Sequence, residues 1–206
     1  MTNDIAIPNQ NNPHNYLLDT TAFNWFVENV NWLKLAMCSL ECGFCYYITA
    51  NQNYELAGMG AKVYNKDCYP EYYKESSAAF KEKMQIFPQI KESLKIQRVS
   101  SMANLMQNHW VLDGTYHVFD NMSENGHTVQ KIFDFNEKLR KKRPFAQHYD
   151  AMTAEAALYN HCILVTDDGD LRMLVNKDFP SSAISTKDLI DLICGLISKE
   201  DKPHAQ

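Results

Sequence analysis

Four aspartates crowd the stretch Asp150–Leu171, DAMTAEAALYNHCILVTDDGDL. Asp150 opens an alanine-rich helical pattern. A short apolar run, Cys162-Ile163-Leu164-Val165-Thr166, then ends in Asp167, Asp168 and Asp170. Near the other end of the chain, Asn15-Tyr16-Leu17-Leu18 reads as a buried strand and ends on Asp19. Two apolar strands that each finish in an acid are the pattern of an open α/β sheet, whose ligands bind outside the carboxyl ends of the strands. Carboxylates gathered there repel one another, and a site that keeps them ionised holds a cation. The chemistry expected is therefore metal-dependent, with oxygen ligands suited to a hard ion.

The elements that must position these acids follow from periodicity. Tyr16–Asp19 is the first strand. Ala22, Trp25, Phe26, Val30 and Leu33 fall at helical spacing directly after it, with Thr20 or Thr21 able to cap. Phe44–Thr49, rich in aromatic and β-branched residues, is the second strand. Asn51 can cap the helix after it, where Glu55 sits roughly 6 Å along the axis and can lean back toward the strand ends. Over 69–143 two helical segments are expected, broken near Phe87-Pro88, and another amphipathic helix runs through Val129, Ile132, Phe133 and Leu139. The Asp150 helix follows, with Ala154 and Ala157 on the same face. A strand at 161–166, a helix at 168–176, a strand at Ala183-Ile184 and a helix from about 187, started by Ser185 and Asp188 as a capping box, complete the chain. Strand and helix alternate at both ends, which calls for parallel βαβ units.

The chain has 206 residues and a formal net charge of −5, enough for one domain with a large insertion. The acidic balance argues mildly against a general nucleic-acid binder but leaves room for an enzyme with an acidic site. The opening MTNDIAIPNQNNPHN lacks the apolar core of a signal peptide, and no apolar run reaches the length of a membrane span, so a cytoplasmic protein without membrane partners is expected. Residues 1–13 are expected to form a flexible tail, 14–200 a single domain with a helical insertion at about 65–145, and 201–206 a second tail.

Two further clusters carry alternatives. Cys38, Cys42 and Cys45 spell C-x3-C-x2-C, a spacing used to ligate an iron–sulfur cluster in radical SAM-type enzymes, although no glycine-rich cofactor segment accompanies it. Buried or reduced thiols are the plainer expectation. The run Lys138–Arg143 is the one dense basic stretch. It reads either as a solvated helix end or as a phosphate-contacting patch, with Arg140, Lys141, Lys142 and Arg143 as the RNA-binding candidates.

At the acids the chain resembles the PIN-domain nucleases, the family that includes VapC-like ribonucleases. LLDTTAF at 17–23 is similar to the family's first-strand segment, YYITANQNYEL at 46–56 to its second, and the Asp150–Leu171 stretch to its C-terminal signature. The resemblance implies a PIN-like three-layer α/β/α sandwich around a central, mostly parallel sheet. It implies Asp19, Glu55, Asp150 and Asp168 as catalytic and metal-holding residues, with Asp170 as an accessory metal ligand and Asp167 at a variable, turn-forming position. Glu41 rivals Glu55 for the second place. It also implies Mg²⁺ or Mn²⁺ as cofactor and RNA as substrate, cut to 5′-phosphate and 3′-hydroxyl ends. A toxin or defence-associated setting, with an antitoxin or other regulatory partner and a homo-oligomer, comes from the same analogy. The alternatives are a catalytically inactive interaction module of the same fold and the iron–sulfur enzyme.

Overall fold

The computed structural model describes residues 6–56, 78–102 and 146–200, and between the last two residues 104–106, 109–111, 116–117, 128, 131, 132 and 134. The core is a five-stranded sheet in which every neighbouring pair is parallel. In chain order the elements are β1 (Asn15–Leu18), α1 (Thr20–Glu28), α2 (Val30–Cys38), β2 (Cys45–Ile48), α3 (Ala50–Leu56), α4 (Ala78–Ser93) and β3 (Gln97–Arg98). The short strands β4 (Ser101–Met102), β5 (Asn104–Met106), β6 (His109–Val111) and β7 (Tyr116–His117) follow. The chain then runs through α5 (Ala146–Tyr159), β8 (Ile163–Val165), α6 (Gly169–Asp178), β9 (Ala183–Ile184) and α7 (Thr186–Glu200). The strand order is β3-β2-β1-β8-β9, so the chain builds outward from β1 on one side and then returns to its other side. The order reverses between β1 and β8, and such a reversal opens a crevice at the carboxyl edge of the sheet.

Side-chain alternation along the strands explains the layers. Tyr16 and Leu18, Tyr46 and Ile48, and Val165 face one side, where they pack with Phe23 and Phe26 of α1, Phe87 and Ile90 of α4, and Leu189 and Ile193 of α7. Leu17, Tyr47, Leu164 and Ala183 face the other, against Ala151, Ala154 and Ala157 of α5 and Leu171 and Val175 of α6. The molecule is thus an α/β/α sandwich with an all-parallel central sheet. Strands buried on both faces must be apolar throughout, which is why β1, β2 and β8 read as continuous hydrophobic runs.

Several local expectations are corrected. One helix was expected from Ala22 through Leu33, but Asn29 leaves helical geometry and accepts the Trp32 amide on Oδ1 at 3.3 Å, which ends α1 and starts α2. The helix after β2 is capped by Thr49 rather than Asn51. Thr49 Oγ1 accepts the Gln52 amide (3.2 Å), and the Thr49 amide donates to Gln52 Oε1 (2.8 Å), a reciprocal capping box. Helix α4 runs through Pro88 without a break, because Phe87 packs edge-on against Phe23 and Ile90 is fully buried while Pro88 itself faces outward. The region after it is not purely helical. It supplies β3 to the main sheet, and β4 pairs with β7 and β5 with β6. Residues 6–13 are not a loose tail. The Ala6 amide donates to Arg98 O at 2.7 Å, and Asn12 Nδ2 donates to Gly43 O at 3.0 Å.

Gln52 is buried and does a second job, donating through Nε2 to Leu18 O at 2.7 Å. It therefore ties the start of α3 to the last residue of β1. Gln52→Ala is expected to lose about 1–2 kcal/mol in a denaturant titration, since one change removes a cap bond and strands a buried carbonyl.

Candidate active site

Asp19 follows β1 directly and is the N-cap residue of α1. Its amide donates to Val165 O at 2.9 Å, which holds it level with the end of β8. By alternation Asp19 follows Leu17, and Thr166 follows Leu164, onto the face that α5 covers. Thr166 Oγ1 donates to Asp19 Oδ2 at 2.9 Å, and Thr21 Oγ1 donates to the same oxygen at 2.9 Å. Each hydroxyl also accepts a main-chain amide from the turn after β8. The Asp167 amide donates to Thr21 Oγ1 (3.0 Å), and the Asp168 amide donates to Thr166 Oγ1 (3.2 Å). An amide can only donate, so each hydroxyl must spend its own proton on Asp19. The acid of β1 and the acidic turn of β8 are therefore one hydrogen-bonded unit.

Asp19 is partly buried at the strand ends. Loss of hydration raises its pKa above the ordinary carboxylate range, and the hydroxyls of Thr166 and Thr21 oppose that rise only in part. A carboxylate in this state is stabilised by any cation that reaches it.

The two acids after β8 have different tasks. Asp168 is the N-cap of α6, and its Oδ1 accepts the amides of Asp170 (3.0 Å) and Leu171 (3.0 Å). Asp167 is more than a turn residue. Its carboxylate receives the Thr186 amide (3.2 Å) and hydroxyl (2.5 Å), so it pins the first residue of α7 to the end of β8. Asp170 lies exposed in the first turn of α6, where a negative charge suits the helix dipole. Ser185 and Asp188 form the expected capping box, with the Asp188 amide donating to Ser185 Oγ at 3.1 Å and the Ser185 amide donating to Asp188 Oδ2 at 3.0 Å.

Asp150 sits one turn inside α5, not at its first residue. Its height can be reckoned from the Cys162 amide, which donates to Ala157 O. Seven helical residues back from Ala157 rise about 10 Å, and four strand residues on from Cys162 rise about 13 Å. Asp150 therefore stands near the level of Val165 and Thr166, in the layer that Asp19 faces. Glu55 lies in α3, on the carboxyl-edge side of β2, and its side chain is outside the described residues. Glu41 precedes β2 and so belongs to the opposite edge, which removes it as a rival. Arg140, Lys141, Lys142 and Arg143 lie outside the described residues.

Among the described residues, no three His, Cys, Asp or Glu side chains gather closely enough to hold one ion. Asp19 and Asp168 therefore follow adjoining strands, with Asp150 on the helix that covers that face, and no three of the acids form a closed cage among the described residues. The same statement covers Cys38, Cys42 and Cys45. Cys38 is exposed at the end of α2, and Cys45 begins β2 with Asn12 Nδ2 against its sulfur at 3.6 Å. These thiols sit at the amino edge of the sheet, away from the acids. Cys162 is a free, buried thiol whose pKa is pushed up to about 12 by burial.

Sequence reasoning missed the parts that Thr21 and Thr166 play at Asp19 and the tie that Gln52 makes to β1. The signal available for the first two was a threonine near each strand end, since Thr20, Thr21, Thr49, Thr166 and Thr186 all cluster at the carboxyl edge. Among the described residues, no helix is long and apolar enough to cross a membrane.

A scan against protein-family models and a search of curated proteins both give no match. Among solved structures, the chain is similar to PAE2754 from Pyrobaculum aerophilum at 16% identity and a TM-score of 0.42, over 91% of this chain and 99% of that one.

Proposed function

We propose that this chain is a metal-dependent ribonuclease, with Asp19 and Asp168 as the principal acids and Asp150, Glu55 and Asp170 completing the rim. One observation carries the reading. A desolvated carboxylate, Asp19, and the Asp168 turn are bonded through Thr21 and Thr166 where the strand order reverses. The resemblance to PIN-domain nucleases at these same residues agrees with it.

The donor set fits Mg²⁺ or Mn²⁺. Sites for Mg²⁺ commonly use one or two carboxylates and leave the remaining positions to water and substrate phosphate, so a rim on which three acids do not converge is compatible with such an ion. Once bound, the cation would polarise the scissile phosphate and make an attacking water more acidic. The chain's own residues do the rest. Thr21 and Thr166 fix Asp19 Oδ2 and thereby the direction of its carboxylate. Asp167, held by Thr186, keeps the turn from shifting. Asp150, near the level of the strand ends, would orient water or accept its proton. Cleavage to 5′-phosphate and 3′-hydroxyl ends, a toxin or defence-associated setting, an antitoxin-like partner and self-association belong to this proposal by analogy with the family.

The test is cleavage of a labelled RNA by purified protein with and without Mg²⁺ or Mn²⁺. Cleavage that chelation stops and that Asp19→Asn or Asp168→Asn removes is the expected result. A folded protein that neither binds a divalent ion nor cleaves RNA would sink the reading and leave the fold as an interaction module.

A further inference from the structure

We infer that Arg172 contacts a phosphate of the nucleic-acid strand at the acid rim. The inference rests on the ribonuclease reading and supplies the cation that an acidic site facing a polyanion requires. Arg172 is the fourth residue of α6, close to its N-terminus, where a positive charge opposes the helix dipole. The side chain turns back toward the sheet, and Nη1 donates to Thr166 O at 2.8 Å. Thr166 is also the residue whose hydroxyl holds Asp19, so the guanidinium is anchored at the carboxyl end of β8, on the strand that borders Asp19.

That is the one hydrogen bond of Arg172 among the described residues. A guanidinium has five N–H donors in a planar fork, so most of this fork is uncommitted, and the side chain is only partly covered. Its anionic neighbours are already engaged. Asp168 caps α6, and Asp188 is held by the hydroxyl and amide of Ser185, with Arg172 adding a lesser pull on its pKa. Lys187, close to the same edge, is spent on Asp191. Arg172 is therefore a fork pre-anchored at the carboxyl end of β8, with donors free to take phosphate bidentately. With a net charge of −5 on the chain, the overall field opposes an approaching strand, and a cation at the rim offsets that repulsion locally.

Binding of a fluorescent single-stranded RNA, measured across a salt series with Ca²⁺ as the divalent ion, tests this without cleavage. Arg172→Gln is expected to weaken binding about ten-fold. It should also reduce the slope of log affinity against log salt by about 0.7, the loss of one phosphate contact. Arg172→Lys keeps a cation and a donor for Thr166 O, and is expected to recover both the melting temperature and the slope. Lys187→Gln is expected to leave affinity and slope unchanged. Wild-type affinity and slope in Arg172→Gln overturn the inference. So does an equal loss in Lys187→Gln, which would assign the effect to net charge, or an Arg172→Lys variant that regains stability but not the slope. Failure of the wild-type protein to bind RNA at all would instead overturn the ribonuclease reading.

Discussion

Asp19→Asn is expected to reduce RNA cleavage by at least 10²–10³-fold while leaving the protein as stable as before or more so. Asparagine keeps the size of the side chain and an oxygen that can accept from Thr21 and Thr166, so the bonds to the β8 turn persist. What it removes is a charge that the fold desolvates. The sign follows from proton linkage. Burial raises the pKa of Asp19 in the folded state above its unfolded value. Between those two values the folded state binds more protons, and stability falls as pH rises through that window. Asp19→Asn should abolish that loss. In chelator, melting temperatures taken from acidic to neutral pH are expected to converge at low pH and to favour the variant at neutral pH. A variant that is inactive and markedly less stable would make Asp19 a structural acid.

Asp168 should separate into two parts in the same way. Asn is as good an N-cap as Asp, so Asp168→Asn is expected to keep the bonds to the Asp170 and Leu171 amides and to cost little stability. Its cleavage rate should still fall by on the order of 10²-fold, because the anion is gone. Asp168→Ala should match it in activity and lose about 1 kcal/mol more in stability. If Asp168→Asn retained full cleavage, Asp168 would be a cap and no more, and the proposed site would shrink to Asp19, Glu55, Asp150 and Asp170. Thermal denaturation beside RNA cleavage distinguishes these outcomes.

The layered architecture was legible because strands covered on both faces have to be apolar. β1, β2 and β8 announce themselves, and the acids after β1 and β8 fix the carboxyl edge. β9 was visible at Ala183-Ile184, and Ser185 with Asp188 marked the start of the last helix. β3 was not legible. It has two residues, follows Lys95 in a left-handed conformation, and is a strand only because it pairs with Tyr47 and Ile48. The break at Asn29 was hidden by an apolar spacing that continues through it, and the unbroken α4 was hidden by Pro88, whose local preference yields to the burial of Phe87 and Ile90. At the site, charge was easier to see than geometry. Asp19 and Asp168 stand out by type, whereas the hydroxyls that orient Asp19 look like ordinary threonines until the strands are placed side by side. Asp167 shows the reverse error. Good turn chemistry concealed a carboxylate that fastens one helix to one strand.

The two hydroxyls that hold Asp19 also set a clock. Because Thr21 and Thr166 each take an amide proton from Asp167 and Asp168, those amides exchange with solvent only when the latch between β1 and the β8 turn comes undone. Their deuterium uptake therefore times how often the rim dissolves and re-forms, independent of any substrate. A ligand seated on Asp19 and Asp168 should slow that clock at these two positions more than elsewhere in the sheet, so occupancy of the rim can be followed before its occupant is known.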